Sequence, residues 1–293
     1  MNKLTAYAKL MRPHQYIKNG FIWLPLLFAN QMTNIAAIIP AAIAFGAFCL
    51  MASAIYVLND IRDVADDRNH PVKKKRPIAS GRVYIKEALF LFLVLITASL
   101  ALSGLWLPRP VLFIMIAYFL LNVSYSLYLK HLPIIDIICI SLGFVMRIFV
   151  GGQAAEIPIS PWIVIMTFLL ALFLALAKRK DDLLLLNQGH QVRKAIDGYN
   201  ADFISLAMGV MASVTIVAYI LYTVSPAVIA LHGEYMYITG FWVVCGLLRY
   251  LQITFVDQKS GSPTLVFLKD RMLQAIVLLW LLNAYALLRW RTL

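Results

Sequence analysis

Nine runs of apolar residues dominate this 293-residue chain and leave it few folds to choose from. They cover residues 15–30, 36–58, 87–107, 110–129, 134–153, 161–177, 203–229, 236–256 and 272–290. A bilayer core takes about 20 residues of helix to cross, and a helix satisfies its own backbone groups inside it. The first run is the weakest, being short and interrupted by Pro25. Hydrophobic residues make up 62% of the chain and mean hydropathy is +0.80, whereas soluble domains are roughly half apolar. The expected fold is all-α and integral to a membrane, with nine transmembrane helices in a single domain over residues 1–293.

The basic residues set the orientation, because cytoplasmic loops collect Lys and Arg. With the N-terminus in the cytoplasm, 21 of the 26 Lys and Arg fall on the inner side, and only Arg109, Arg289 and Arg291 fall outside. The net charge of +12 is therefore mostly a topological bias, and no nucleic-acid partner is expected. No cleavable signal peptide is visible before the first run. Cys49, Cys139 and Cys245 stand singly inside apolar runs, which excludes a disulfide framework or a zinc pattern. His14, His70, His131, His190 and His232 are too scattered to form a ligand cluster.

Two long polar loops lie on the inner side, 59–86 and 178–202, and each follows an apolar run directly. Each is expected to begin as a continuation of that helix. The first opens Asn59-Asp60-Ile61-Arg62-Asp63-Val64-Ala65-Asp66-Asp67, so four of the chain's fourteen acidic residues fall within nine positions. On a helix turning about 100° per residue, Asp60, Asp63 and Asp67 lie at roughly 0°, 300° and 340°, on one face. Three carboxylates so placed repel one another unless a cation joins them. Hard oxygen ligands suit Mg²⁺, which is commonly held by a few carboxylates plus substrate phosphates. Asp66 falls at about 240° and is expected to face away. The loop continues through Arg68, His70, Pro71 and Lys73–Arg76 to Pro77 and Gly81. These cations are placed to fold over a metal-held anion, or else they serve only topology and anionic lipid.

Asn59, Asp60, Asp63 and Asp67 match the Asn-Asp-x-x-Asp-x-x-x-Asp signature of the UbiA prenyltransferase superfamily, and Arg68, Pro71, Arg76, Pro77 and Gly81 match its tail. The chain resembles that family over nearly its whole length. The resemblance implies a ring of nine helices around a central cavity open sideways to lipid. It also implies Mg²⁺ on cytoplasmic acidic motifs, ionising a pyrophosphate donor. Aromatic prenyltransferases of the family carry a second Asp-x-x-x-Asp in the next inner loop. Here that loop reads Lys178-Arg179-Lys180-Asp181-Asp182, then Arg193, Asp197, Gly198 and Tyr199. This is similar to the polyprenyl-phosphate phosphoribosyltransferase branch, as are Arg12-Pro13, Lys18-Asn19, Tyr125-Ser126, Lys130 and Arg147 through Gly151-Gly152.

The departure has a physical rationale. A phosphoribosyltransferase must hold the pyrophosphate and 5-phosphate of its soluble donor and the phosphate of its lipid acceptor. More anions call for more cations, and Lys178, Arg179 and Lys180 move the balance that way, although the positive-inside bias explains the same run. Asp182 remains available to a metal or a ribose hydroxyl. Arg147 lies inside an apolar run. It is eleven residues after Asp136, on the same face but about 16 Å further along the helix, so it must meet a different anion, of the protein or of a substrate. Asn122 and Tyr125 share a face toward the same cavity wall, or else make interhelical hydrogen bonds.

The resulting expectation is an Mg²⁺-dependent membrane transferase, its active site facing the cytoplasm of a bacterial plasma membrane. It would move 5-phosphoribose from phosphoribosyl pyrophosphate to a polyprenyl phosphate. Asp60, Asp63 and Asp67 would ligate the metal, with Asn59 and Asp182 as further catalytic groups. Lys18, Asn19, Arg68, Lys73, Arg76, Asn122, Tyr125, Lys130, Arg147, Lys178, Arg179, Arg193 and Tyr199 would bind substrate. The alternative chemistry is alkylation of an aromatic acceptor such as 4-hydroxybenzoate by a prenyl pyrophosphate. A transporter fits poorly, because the acids gather at one face and no repeat is visible. Prenyl chain length and oligomeric state are not encoded in any of these patterns.

Overall fold

The structure is a computed structural model and describes residues 3–69, 73–187 and 194–290. Pro71 and Arg193, two residues of interest, lie outside the described residues, as do His70 and His190. Among the described residues all regular secondary structure is helical. It begins with α1 (Lys3–Met11), a 3-10 segment (Pro13–Trp23) and a short α2 (Leu24–Phe28). There follow α3 (Ile35–Arg62), α4 (Val64–Asn69), α5 (Ile85–Trp106), α6 (Arg109–Leu127), α7 (Ile135–Ala154) and α8 (Pro161–Asn187). The chain ends with α9 (Ala201–Thr223), α10 (Pro226–His232), α11 (Gly240–Phe255), α12 (Pro263–Lys269) and α13 (Arg271–Trp290).

Among the described residues, eight helical stretches are long and apolar enough to cross a membrane: Ile35–Arg62, Ile85–Trp106, Arg109–Leu127, Ile135–Ala154, Pro161–Asn187, Ala201–Thr223, Glu234–Phe255 and Arg271–Leu288. They coincide with eight of the nine apolar runs. The remaining run, 15–30, is taken up by the 3-10 segment and α2, neither of which has that length. Large apolar side chains such as Phe90, Leu105, Leu206, Leu248 and Leu278 are exposed on the spanning helices. Such a surface would be costly in water, but it is what hydrocarbon requires.

Local chemistry sets the helix ends. Asn34 caps α3 by accepting from Ala36 N–H at 3.0 Å, and Asn200 caps α9 by accepting from Phe203 N–H at 2.7 Å. At α5, Glu87 accepts from Tyr84 N–H at 3.1 Å while Lys3 pairs with the same carboxylate, which ties α1 to the head of α5. The expected continuation of helix beyond the apolar runs is seen. α8 reaches Asn187, and α3 ends at Arg62 with α4 resuming at Val64.

The chain divides into two compact units. One comprises Met1–Leu26, Gln31–Tyr128 and Met146–Pro158; the other comprises Leu27–Asn30, Leu129–Val145 and Ile159–Leu293. In the first, small residues on α3 (Ala41, Ala44, Ala47, Ala54) are fully buried and let neighbours approach closely. Ser99 of α5 donates to the Ala47 carbonyl at 2.7 Å, joining the two helices across that face. A Cβ on Gly151 would fall 2.0 Å from the carbonyl oxygen of Ile22, so α7 can pack on the 3-10 segment only through a glycine. In the second unit, Phe173, Leu176, Ile204, Met208, Leu247 and Tyr250 form one core. Ser260 donates to the Ala177 carbonyl at 3.0 Å, strapping the 256–262 loop onto α8.

Candidate active site

The acidic end of α3 is built by a break in the helix. Asp63 caps α3 with its N–H on the Asn59 carbonyl (2.9 Å), and its own carbonyl accepts from Asp67 N–H (2.8 Å). The one-turn spacing of the acids therefore survives although the helix does not run straight through. Asp60 and Asp67 are each only 2% exposed, Asp63 is half-buried, and Asp66 is exposed.

Two buried carboxylates need counter-charge, and two arginines provide it. Arg12 places Nη2 2.5 Å from Asp60 Oδ1, and its guanidinium lies 5.0 Å above the Tyr56 ring. Arg12 is left-handed (φ 54°, ψ 57°) immediately before Pro13, a conformation uncommon outside glycine. It turns α1 sharply into the 3-10 segment and delivers the guanidinium to Asp60. Arg76 is shared: its Nη1 lies 3.2 Å from Asp60 Oδ1 and 2.7 Å from Asp67 Oδ2. The 3-10 turn Lys73–Lys75 and the turn from Arg76 to Gly81 carry it back there. Ser80 N–H bonds the Arg76 carbonyl, and Gly81 takes the φ of 73° that this reversal needs. Ile78 and Val83, 2% and 1% exposed, anchor the turn.

The donor set suits a hard cation, and the shared guanidinium is a stand-in for one. Among the described residues no three acidic, His or Cys side chains converge as a ready-made cage. Two carboxylates bridged by one cation nonetheless fit Mg²⁺, which keeps several ligands for water and substrate phosphate. Asn59 is fixed by a short hydrogen bond from Ser126 Oγ to its side-chain oxygen. Asn122 donates to the Tyr118 carbonyl of its own helix at 2.8 Å, and its backbone carbonyl lies 2.8 Å from the same Ser126 hydroxyl. Tyr125 is half-buried, while Arg68 and Lys73 are exposed.

Deeper in the same unit, Arg147 is 5% exposed. It donates to Asn19 Oδ1 at 2.9 Å and Tyr118 OH at 3.1 Å, between the faces of the Phe48 and Tyr118 rings at 4.6 and 5.3 Å. Its contacts here include an amide, a phenol and two aromatic faces. Asn19, 1% exposed, passes the chain of contacts to Cys49 at 3.1 Å. Lys18 lies near enough for the Arg147 and Arg12 charges to act on it.

The second unit holds its own charged network. Arg179 is 1% exposed, with Nε 2.7 Å from Asp136 Oδ2 and Nη1 on Asp182 Oδ2. Tyr199 donates to Asp136 Oδ1 at 2.6 Å and accepts from Ile134 N–H at 2.7 Å. Burial, then the hydrogen bond to Asp136, push the Tyr199 hydroxyl well above its ordinary pKa, so it stays protonated as a donor. A Cβ on Gly198 would meet the Pro133 ring at 2.2 Å, so the glycine lets the 3-10 stretch Lys194–Gly198 approach Pro133 and bring Tyr199 in. Arg179, expected on a phosphate, is thus engaged by two carboxylates, because a guanidinium buried on α8 meets the buried Asp136. Tyr199 is likewise occupied with loop and carboxylate. Lys178 and Lys130 are half-buried. Sequence reasoning left out Arg12 and Asp136 as site-building residues. The signal for Asp136 was a carboxylate inside an apolar run, which must have a partner.

Comparison with known proteins places the chain in a family and a fold. The model of the UbiA prenyltransferase family matches residues 21–282. A decaprenyl-phosphate phosphoribosyltransferase of Mycolicibacterium smegmatis is 33% identical, over 96% of this chain and 91% of that one. A protein of the same name from Corynebacterium glutamicum is 34% identical, over 95% and 85%. The solved structure of a UbiA homolog from Archaeoglobus fulgidus bound to GPP and Mg²⁺ superimposes with a TM-score of 0.70, covering 97% of this chain and 99% of that one at 16% identity, which speaks for the fold. A matching family model over most of the length, near full-length relatives and a shared all-helical fold converge: this chain is an integral membrane enzyme belonging to the UbiA prenyltransferase family.

Proposed function

We propose that this enzyme transfers 5-phosphoribose from phosphoribosyl pyrophosphate to a polyprenyl phosphate at the cytoplasmic face of the membrane, with Mg²⁺ as cofactor. The observation that carries the proposal is the near full-length likeness to two proteins named decaprenyl-phosphate phosphoribosyltransferase. In this reading the N-terminus is cytoplasmic, residues 15–30 complete a ninth membrane-embedded segment, and the chain works as one catalytic domain through loops 59–86 and 178–202.

An oxygen of the acceptor phosphate forms a bond to C1 of the ribose as the C1–O bond to pyrophosphate breaks, and the pyrophosphate leaves with the electron pair. The nucleophile is already anionic, so no general base is needed, in keeping with the scattered histidines. Mg²⁺, when bound by Asp60, Asp63 and Asp67, supplies a Lewis acid for the leaving pyrophosphate. Asn59, fixed by Ser126, orients the acidic end. Arg68, Lys73 and Arg76 neutralise charge that develops on the leaving group, where preorganised cations lower the barrier most. Lys178 binds a donor phosphate. Arg179 acts as a positioning residue that holds Asp136 and Asp182.

The test is purified enzyme with radiolabelled phosphoribosyl pyrophosphate and polyprenyl phosphate, with and without Mg²⁺. Label in the lipid fraction, dependent on Mg²⁺, is the expected result. Absence of labelled lipid, together with product from a prenyl pyrophosphate and 4-hydroxybenzoate, would reverse the assignment.

A further inference from the structure

We infer that Arg76 is an exchangeable counter-ion: its guanidinium bridges Asp60 and Asp67 until a pyrophosphate draws it off, so that divalent ion and donor enter as a coupled pair. The inference rests on the metal reading above and adds an order of events to it.

Three observations carry it. First, one nitrogen of Arg76 serves both carboxylates, at 3.2 and 2.7 Å. A divalent ion uses those same oxygen lone pairs at about 2.1 Å, so the two cations compete for one seat. Second, the acids differ in what they keep when Arg76 leaves. Asp60 retains Arg12, whereas among the described residues the Asp67 carboxylate has Arg76 as its partner. A departing guanidinium therefore leaves a buried anion in need of a new cation, and that demand draws the metal in. Third, Arg76 has somewhere to go. Its side chain is 28% exposed, while its turn is pinned by the buried Ile78 and Val83, so the side chain can move without the backbone. A planar guanidinium released from carboxylates matches a phosphate with two parallel hydrogen bonds.

Coupling of this kind is reciprocal: whatever factor the donor adds to metal affinity, the metal adds to donor affinity. The built-in arginine keeps divalent-ion affinity low while donor is absent. An enzyme lacking it should take up the ion without waiting for donor.

The experiment is Mn²⁺ titration followed by electron paramagnetic resonance on the full-length protein in detergent, with and without phosphoribosyl pyrophosphate. Wild type, Arg76→Gln and Arg76→Ala are compared. Without donor, both variants should bind Mn²⁺ about tenfold more tightly than wild type, within the usual range of coupling between sites. Mn²⁺ alone should raise the thermal midpoint of Arg76→Gln more than that of wild type. Arg76→Gln keeps a polar, uncharged side chain at the turn and decides the matter if Arg76→Ala does not fold. Donor-free Mn²⁺ affinity unchanged or weakened in the variants overturns the inference, since an arginine that only binds phosphate would leave it alone. Failure of wild type to bind Mn²⁺ even with donor present instead overturns the underlying metal reading.

Discussion

Truncating Arg179 separates a structural cation from a substrate-binding one. The side chain is 1% exposed and pairs with Asp136, itself 0% exposed, and with Asp182. At an effective dielectric near 20, each close pairing is on the order of 4 kcal/mol before desolvation. Removing the arginine recovers the desolvation cost of the guanidinium but leaves Asp136 charged and buried, so Arg179→Ala should destabilise the protein by about 3–5 kcal/mol. Two further variants refine the assay. Asp136→Asn removes the stranded charge, and Arg179→Ala with Asp136→Asn removes both partners and closes the cycle. In a double-mutant cycle read by urea unfolding in a fixed detergent, the double variant should regain most of the loss, giving a coupling of roughly 2–3 kcal/mol. If Arg179→Ala unfolded like wild type while the KM for phosphoribosyl pyrophosphate rose at least tenfold, the argument from burial would be refuted and Arg179 would be a phosphate ligand.

Other perturbations have equally definite outcomes. Asp63→Ala should abolish turnover while the protein stays folded in detergent; retained turnover would count against its role as a ligand. Lys178→Ala should raise the donor KM several-fold while kcat changes less, and an unchanged KM would leave that lysine a topological residue only. Gly151→Ala should cost about 2 kcal/mol or more, since its Cβ meets backbone at Ile22; a wild-type unfolding curve would show that α7 does not pack there. Tyr199→Phe should destabilise by about 1–3 kcal/mol, because Asp136 loses a buried donor and the Ile134 N–H loses its acceptor. An undiminished midpoint would remove Tyr199 from the network.

Part of the acidic cluster was legible in the sequence. The spacing of Asp60, Asp63 and Asp67 brings Asp60 and Asp67 into one cluster even though α3 breaks at Asp63. The basic run does fold back, as the Pro77 and Gly81 turn residues foretell, but Arg76 lands on the carboxylates themselves. Arg147 was recognisable as a buried cation in an apolar run. Its amide and aromatic surroundings were not, because Asn19, Phe48 and Tyr118 come from three separate stretches of chain. The lysines and arginine at 178–180 look alike in sequence, yet Arg179 is fully buried, its side chain on the buried Asp136, while Lys178 and Lys180 are half-buried.

What the sequence determined by itself is everything that rests on local periodicity and transfer energy. The apolar runs that form long helices among the described residues, the helical extensions past their ends and the acidic tip all follow from residues within a turn or two of one another. The tertiary structure alone decided which charges neutralise which. Arg12 reaches Asp60 across 48 positions, and Arg179 reaches Asp136 across more than 40. Hydropathy and helical spacing act over a few residues. A buried ion pair forms wherever the folded chain leaves two opposite charges without water, and that distance cannot be counted along the sequence.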